Sequence, residues 1–200
     1  MNQGERHDFH GHFEQALSFA TRLHAEQVRK DTDIPYISHL ISVAGIVLEN
    51  GGGRDEAIAA LLHDAIEDQA ETFPGGANAL RKEIRDRFGD TVLEIVEGCT
   101  DAEVIPKPPW KVRKQTYIAH LEEVSDATRL VSCSDKLHNA RAIVSDLRVM
   151  GDMLWSRFTG GKQGTLWYYD TLAKTFLRLG PIKLAKELEL TVSEMRELAG

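Results

Sequence analysis

The sequence predicts an all-α fold in one domain of about eight or nine helices, and three observations point that way. Apolar residues recur at three- and four-residue spacings along most of the chain. The period-two alternation of a half-buried strand is hard to find. Clusters of glycine and proline cut the periodic runs into ordinary helix lengths. With 200 residues, 42% of them hydrophobic, the chain can bury one sizeable core.

The elements follow in order. Phe13, Leu17, Ala20, Leu23 and Ala25 form the apolar stripe of a first amphipathic helix reaching about Val28. The polar "RKDTDIP" interrupts it. A helix near Tyr36 to Leu48 is stopped by "NGGG", and another runs near Asp55 to Asp68. After "FPGGA", Leu80, Ile84 and Phe88 repeat every four residues until Gly89 closes the helix. "DTVLEIVEGCT" reads as a short apolar helix. The prolines of "DAEVIPKPP" make that segment a loop, because they fix φ and remove donors. Helices near Trp110 to Glu123 and Ser125 to Val149 come next. Past "SRFTGGKQG" two more are expected, around Thr165 to Leu179 and Ile182 to Leu198.

Composition narrows the function. A formal net charge of −7 argues against binding duplex nucleic acid, which draws on a basic face. The polar start "MNQGERHDFHGHFEQ" lacks a secretory apolar run, and no segment approaches the ~18 apolar residues of a membrane span. The two cysteines, Cys99 and Cys133, have no CxxC spacing and read as small core residues in a reducing compartment. These features predict a soluble, cytoplasmic protein; oligomeric state is not legible.

Chemistry concentrates in "IAALLHDAIEDQ", from Ile58 to Gln69. An apolar helix ends in His63, Asp64, Glu67 and Asp68, with His63 and Glu67, and Asp64 and Asp68, each four residues apart. On a single helix these carboxylates fall at the negative end of the macrodipole, where they are disfavoured. Exposure to solvent would relieve them, and so would a bound cation. Elsewhere His39 sits in the apolar "PYISHLISVAGIVL" and Asp135 in "ATRLVSCSDKLHNARAI". Each alone fits a hydrogen-bonded core residue, a cap or an ion pair. Together His39, His63, Asp64 and Asp135 supply two imidazoles and two carboxylates, a donor mixture suited to Mn²⁺, Fe²⁺ or Zn²⁺.

The order His, then His-Asp, then a distant Asp resembles the HD-domain phosphohydrolase superfamily. The strings "RKDTDIPYISHL", "ALLHDAIEDQAET", "RFGDTVLEIVEGCTD" and "SDKLHNAR" are similar to successive motifs of the (p)ppGpp hydrolase domain of Rel/SpoT proteins and small alarmone hydrolases. The likeness runs from about Phe13 to Ala142 with a weaker C-terminal continuation. The stand-alone form is the closer comparison, since no synthetase or regulatory region follows. The resemblance implies a single HD-type hydrolase domain over residues 1–200, with a motif-bearing core of about 13–180 and a C-terminal helix of about 182–198. It implies His39, His63, Asp64 and Asp135 as metal ligands, most readily for Mn²⁺, and Glu67 and Asp68 as the residues of the hydrolytic chemistry. Which of the two acts as base stays open. The implied reaction removes the 3′-diphosphate of ppGpp or pppGpp, giving pyrophosphate and GDP or GTP.

Arg29 and Lys30 match the family's "RK" ahead of "PYI", and Asn139 matches a position associated with the nucleoside, so these three are the candidate substrate-binding residues. A solvated helix end for the first two and a helix-surface position for Asn139 are the plain alternatives. Lys107, Lys111, Arg113 and Lys114 make a basic cluster beside Trp110 that suits phosphates or a solvated helix start. Arg141 either supports the site or pairs with an acid, and "LWYYDTL" reads as core aromatics. Two departures touch the surroundings of the site: Leu40 stands where the family has proline after its first histidine, and Ala142 lacks a hydroxyl common there. Two other functions compete with the leading one, an HD phosphohydrolase for another nucleotide (a nucleoside 5′-monophosphate or NADPH) and a catalytically silent nucleotide-sensing module.

Overall fold

The computed structural model describes residues 3–101 and 108–200. Among them are ten α-helices, one 3-10 helix and no strand; an isolated bridge pairs Val28 with Pro35. The expected all-α fold is therefore observed. No helix among the described residues is long and apolar enough to cross a membrane. The chain separates into two compact units, Met1–Glu103 and Val104–Gly200. The expected "DAEVIPKPP" loop falls mostly outside the described residues, and so does Lys107.

The first unit holds α1 (Gln3–Leu23), α2 (Ile37–Glu49), α3 (Arg54–Leu62), α4 (Ala65–Gln69), α5 (Gly76–Phe88) and α6 (Asp90–Cys99). Its centre is α3, which packs against α1, α2 and α6. Every residue from Ala57 to Leu62 is buried, as expected of a helix surrounded by others. Three of those six are alanines, which let neighbouring helices come close. In α5 the buried residues are Leu80, Ile84 and Phe88, the stripe read from the sequence. Gly89 then adopts φ +93°, open to glycine without strain, and α6 begins at the next residue.

The second unit holds α7 (Trp110–His120), α8 (Asp126–Met150), a 3-10 helix (Gly151–Arg157), α9 (Gly161–Leu179) and α10 (Ile182–Ala199). The Ser125 hydroxyl caps α8 by accepting from the Thr128 amide at 3.1 Å. α10 lies against both α8 and α9. Trp110 packs edge-on to Trp167 and Tyr168 and rests on Gly160, where a Cβ would come within 2.7 Å of the indole. Tyr168 and Tyr169 are buried, as expected of core aromatics.

Three element boundaries differ from the expected ones. α1 ends at Leu23, short of Val28, because the chain turns back: the Arg29 amide donates to the Ile34 carbonyl at 2.8 Å and the Tyr36 amide to the Gln27 carbonyl at 2.9 Å. The 3-10 helix after α8 has no periodic signature in "GDMLWSR". The third difference shapes the site. The single helix expected near Asp55 to Asp68 is two, α3 and the five-residue α4, separated by His63 and Asp64.

Candidate metal and hydrolytic site

In the first unit three of the sequence-predicted ligands converge. His39 on α2 and His63 at the end of α3 are buried, with ring centroids 5.2 Å apart and ligand nitrogens within 4.8 Å of each other. Asp64 Oδ2 stands 3.0 Å from His63 Nε2 and 3.6 Å from His39 Nε2. Asp64 stands at the break between α3 and α4, with φ −96° and ψ 0° in the bridge region frequented by active-site residues. The carboxylates consequently do not crowd the end of one long helix, as the sequence implied, but belong to the start of a second short one.

The tautomer of His63 bears on what this cluster can hold. Its Nδ1 lies 2.8 Å from the Ala60 carbonyl, which can only accept, so Nδ1 carries the proton. In the neutral ring Nε2 then presents a lone pair toward the Asp64 oxygen. Two acceptors at 3.0 Å repel unless a cation or a proton lies between them. A backbone carbonyl fixing Nδ1–H and turning Nε2 to the cluster is the usual arrangement of a metal-ligating histidine. The donor set fits a divalent metal.

Further partners order this cluster, and sequence reading had not singled them out. The Tyr36 hydroxyl donates to Asp64 Oδ2 at 2.6 Å, and its ring stacks on His24 at 5.4 Å. His24 Nδ1 pairs with Gln27 Oε1 at 2.7 Å. Gln27 Nε2 in turn donates to Asp68 Oδ2 at 2.7 Å, and Gln69 Nε2 to Gln27 Oε1 at 2.5 Å. Tyr36 was visible in "PYISHL" as a hydroxyl three residues from His39, but nothing local marks His24, Gln27 or Gln69. Burial of the His24 ring lowers its pKa, against the opposing pull of Gln27 and Asp64. Packing around the Asp68 carboxyl and the neighbouring Asp64 charge push its pKa up to about 6, against the Gln27 bond. Glu67 Oε2 accepts from the Asp101 amide at 3.3 Å, so the two candidate hydrolytic carboxylates have different partners. Arg29 lies 5.9 Å over the Tyr36 ring, while Lys30 is exposed.

In the second unit Asp135 is buried in the middle of α8. Its Oδ2 accepts from Lys136 Nζ at 2.6 Å and its Oδ1 from Asn139 Nδ2 at 2.5 Å, so Asn139 is brought to the carboxylate one turn away. Lys136 also sits 4.7 Å over the Tyr117 ring. Burial works to lower the Lys136 pKa, but the Asp135 charge and hydrogen bond outweigh it and hold the ammonium well above its ordinary value. Lys111 and Lys114 stand over Trp167 and Tyr168 at 4.7 and 5.0 Å. Arg141 pairs with Glu187 at 2.8 Å.

Comparison with known proteins adds a separate line. A family model described as an HD domain matches residues 16–165. The Xenopus tropicalis protein named guanosine-3′,5′-bis(diphosphate) 3′-pyrophosphohydrolase MESH1 is 37% identical over 162 residues, covering 76% of this chain and 84% of its own. The Aquifex aeolicus guanosine-3′,5′-bis(diphosphate) 3′-pyrophosphohydrolase is 33% identical over 130 residues, 65% of this chain and 17% of that much longer protein. A solved structure of a metazoan orthologue of SpoT that hydrolyses ppGpp has the same fold, with a TM-score of 0.71 at 24% identity, covering 94% of this chain and 96% of that one.

Proposed function

The chain belongs to the HD-domain family, and on that premise we propose that it is a divalent-metal-dependent guanosine-3′,5′-bis(diphosphate) 3′-pyrophosphohydrolase, releasing pyrophosphate from ppGpp or pppGpp to leave GDP or GTP. The observation that carries the reading is the cluster of buried His39 and His63 with half-buried Asp64, where the Asp64 oxygen and the His63 nitrogen 3.0 Å apart need a cation or a proton between them. Support comes from relatives bearing that activity in their names, one of them matched over 84% of its length. The hydrolase domain is taken as residues 1–200, with Asp135 as the fourth ligand and Mn²⁺ as the metal, a borderline ion compatible with mixed imidazole and carboxylate donors. A cytoplasmic location belongs to the same reading, supported by Cys99 and Cys133, which are not joined in a disulfide, as a reducing compartment favours.

The cation supplies Lewis acidity toward a phosphoryl oxygen and acidifies a water when bound. The remaining steps fall to the chain. The Ala60 carbonyl holds His63 in one tautomer, and the Tyr36 hydroxyl fixes the Asp64 carboxylate. Glu67 or Asp68 takes a proton from the attacking water, Asp68 being aimed by Gln27 and Glu67 by the Asp101 amide. The water oxygen joins the 3′-linked phosphorus, and the ribose 3′-oxygen leaves with a proton. Arg29 offers a guanidinium plane to the base; Lys30 and Asn139 complete the substrate contacts.

The test is turnover of ppGpp, pppGpp, NADPH and a nucleoside 5′-monophosphate by metal-stripped protein reloaded with Mn²⁺, Fe²⁺ or Zn²⁺. Pyrophosphate release from ppGpp, greatest with Mn²⁺ and lost in Asp64→Ala, is the expected result. Glu67→Gln and Asp68→Asn separate the two carboxylates: the one acting as base costs about 10²-fold or more in kcat. Asp135→Ala is expected to weaken metal binding. Preference for NADPH or a monophosphate overturns the substrate assignment, and release that survives Asp64→Ala overturns the mechanism.

A further inference from the structure

The first unit contains a cavity of about 400 Å³ away from the metal cluster, bounded by α1, α5 and the segment that follows α4. Its size lies within the roughly 300–1,000 Å³ of small-molecule sites. Arg22 and Arg87 reach it from opposite helices, with Phe19 and Phe73 as apolar walls and Glu83 as the acidic neighbour. Arg87 lies 5.0 Å over the Phe19 ring and donates to Glu83 Oε1 at 2.7 Å. Arg22 donates to Ser18 Oγ at 2.7 Å, a neutral acceptor that leaves the guanidinium charge uncancelled. The wall thus carries two cations against one acid. A second cavity of about 380 Å³ shares both arginines but adds Glu14, so the excess of positive charge lies on the side of the first cavity. Guanidinium forks suit phosphate oxygens, and an arginine face stacked on phenylalanine beside a second aromatic suits a planar base.

The same wall includes Gln69. Its amide donates to Gln27 Oε1, and Gln27 donates to Asp68 Oδ2. A ligand oxygen that captures the Gln69 amide therefore removes one of the two donors on Gln27 Oε1, leaving His24 Nδ1 at 2.7 Å as the other, and loosens the hold of Gln27 on Asp68. We infer that this cavity is a second, regulatory binding site for a nucleoside diphosphate, which lowers turnover by taking Gln69 from Gln27 and so loosening the positioning of Asp68. The regulatory half of this inference rests on the reading of Asp68 as a hydrolytic residue; the binding half does not.

Calorimetric titration of the full chain with GDP and with inorganic pyrophosphate, beside steady-state hydrolysis of ppGpp with added GDP, tests both halves. Wild type is expected to bind two GDP per chain and to lose kcat, not only gain KM, as GDP rises. Arg22→Gln and Arg87→Gln each weaken one event by about tenfold, the loss of one charge-assisted bond, and shift the fall in kcat to about tenfold higher GDP. Gln69→Leu starts from a lower kcat, keeps the second binding event at reduced affinity, and shows no further fall in kcat as GDP rises. A single GDP in wild type, or two undiminished in the Arg22→Gln/Arg87→Gln double variant, overturns the site. Pyrophosphate matching GDP in the arginine-dependent event overturns the nucleoside assignment. Because stoichiometry is read without turnover, a chain that binds two GDP and hydrolyses nothing fails the proposed function alone, whereas an active chain that binds one fails this inference alone.

Discussion

Tyr36 ties the cluster together at the scale of one side chain: its hydroxyl holds Asp64 at 2.6 Å while its ring lies between His24 and His39. Partners that orient a metal ligand typically account for 10–100-fold in metal affinity. Tyr36→Phe keeps the ring packing, so it is expected to weaken metal binding by about that factor with little change in melting temperature, as a metal titration beside a thermal scan will read. His24 gives a pH dependence. Burial lowers its folded-state pKa below 6.5, so on acidification the unfolded chain takes up the proton first. The stability gained from a neutral His24 is complete above pH 6.5 and is lost as pH falls below it. His24→Phe retains a stacking ring without a proton to gain, and should flatten the urea-unfolding profile between pH 6.5 and 5. Cys133 behaves oppositely to a reactive thiol, because burial pushes its pKa up, and it is expected to resist maleimide until the chain unfolds. His39, His63 and Asp135 stand out in the sequence because polar groups inside apolar runs are conspicuous, and the resemblance adds Asp64 and the role of ligand. The Gln27–Asp68 bond spans 41 positions, and no local pattern announces it.

Helix lengths and faces were largely readable at the scale of elements, since periodicity is local; α5 carries its buried residues where the four-residue spacing put them. The break between α3 and α4 was not readable. "ALLHDAIED" contains neither glycine nor proline, and the helix stops without a sequence breaker. The break leaves His63 at the end of one helix and Asp64 at the start of the next, with their side chains 3.0 Å apart. Gly45, inside α2, and Gly160, just before α9, permit a paired test. A Cβ at Gly45, within α2, meets nothing within 4 Å, so Gly45→Ala is expected to stabilise by about 0.5–1 kcal/mol. At Gly160 the new carbon would press 2.7 Å from the Trp110 ring, and Gly160→Ala is expected to cost about 1–3 kcal/mol. Opposite shifts in chemical denaturation midpoints would bear both out; equal shifts would contradict the packing of Trp110.

For the whole molecule, the all-α class followed from the missing alternation, but the separation into two compact units did not, since contact density between distant segments leaves no periodic trace. The metal argument also belongs at this scale, because a ligand that binds only the folded chain stabilises all of it. With neither a cation nor a proton between them, the Asp64 oxygen and the lone pair of the buried His63 repel, and that repulsion is a folding cost. The unfolded chain has no preformed cluster and regains little by binding metal. Mn²⁺ at a hundred times its Kd should therefore stabilise by about 2.7 kcal/mol, equivalent to roughly 5–11 °C in Tm at this size. EDTA should reverse the gain. In Asp64→Ala the repelling oxygen is gone along with the ligand, so the metal-free variant is expected to melt at or above metal-free wild type and to respond weakly to Mn²⁺. A variant that melts well below metal-free wild type would mean that Asp64 stabilises the fold through Tyr36 rather than through a cation, and would remove the electrostatic argument for the site.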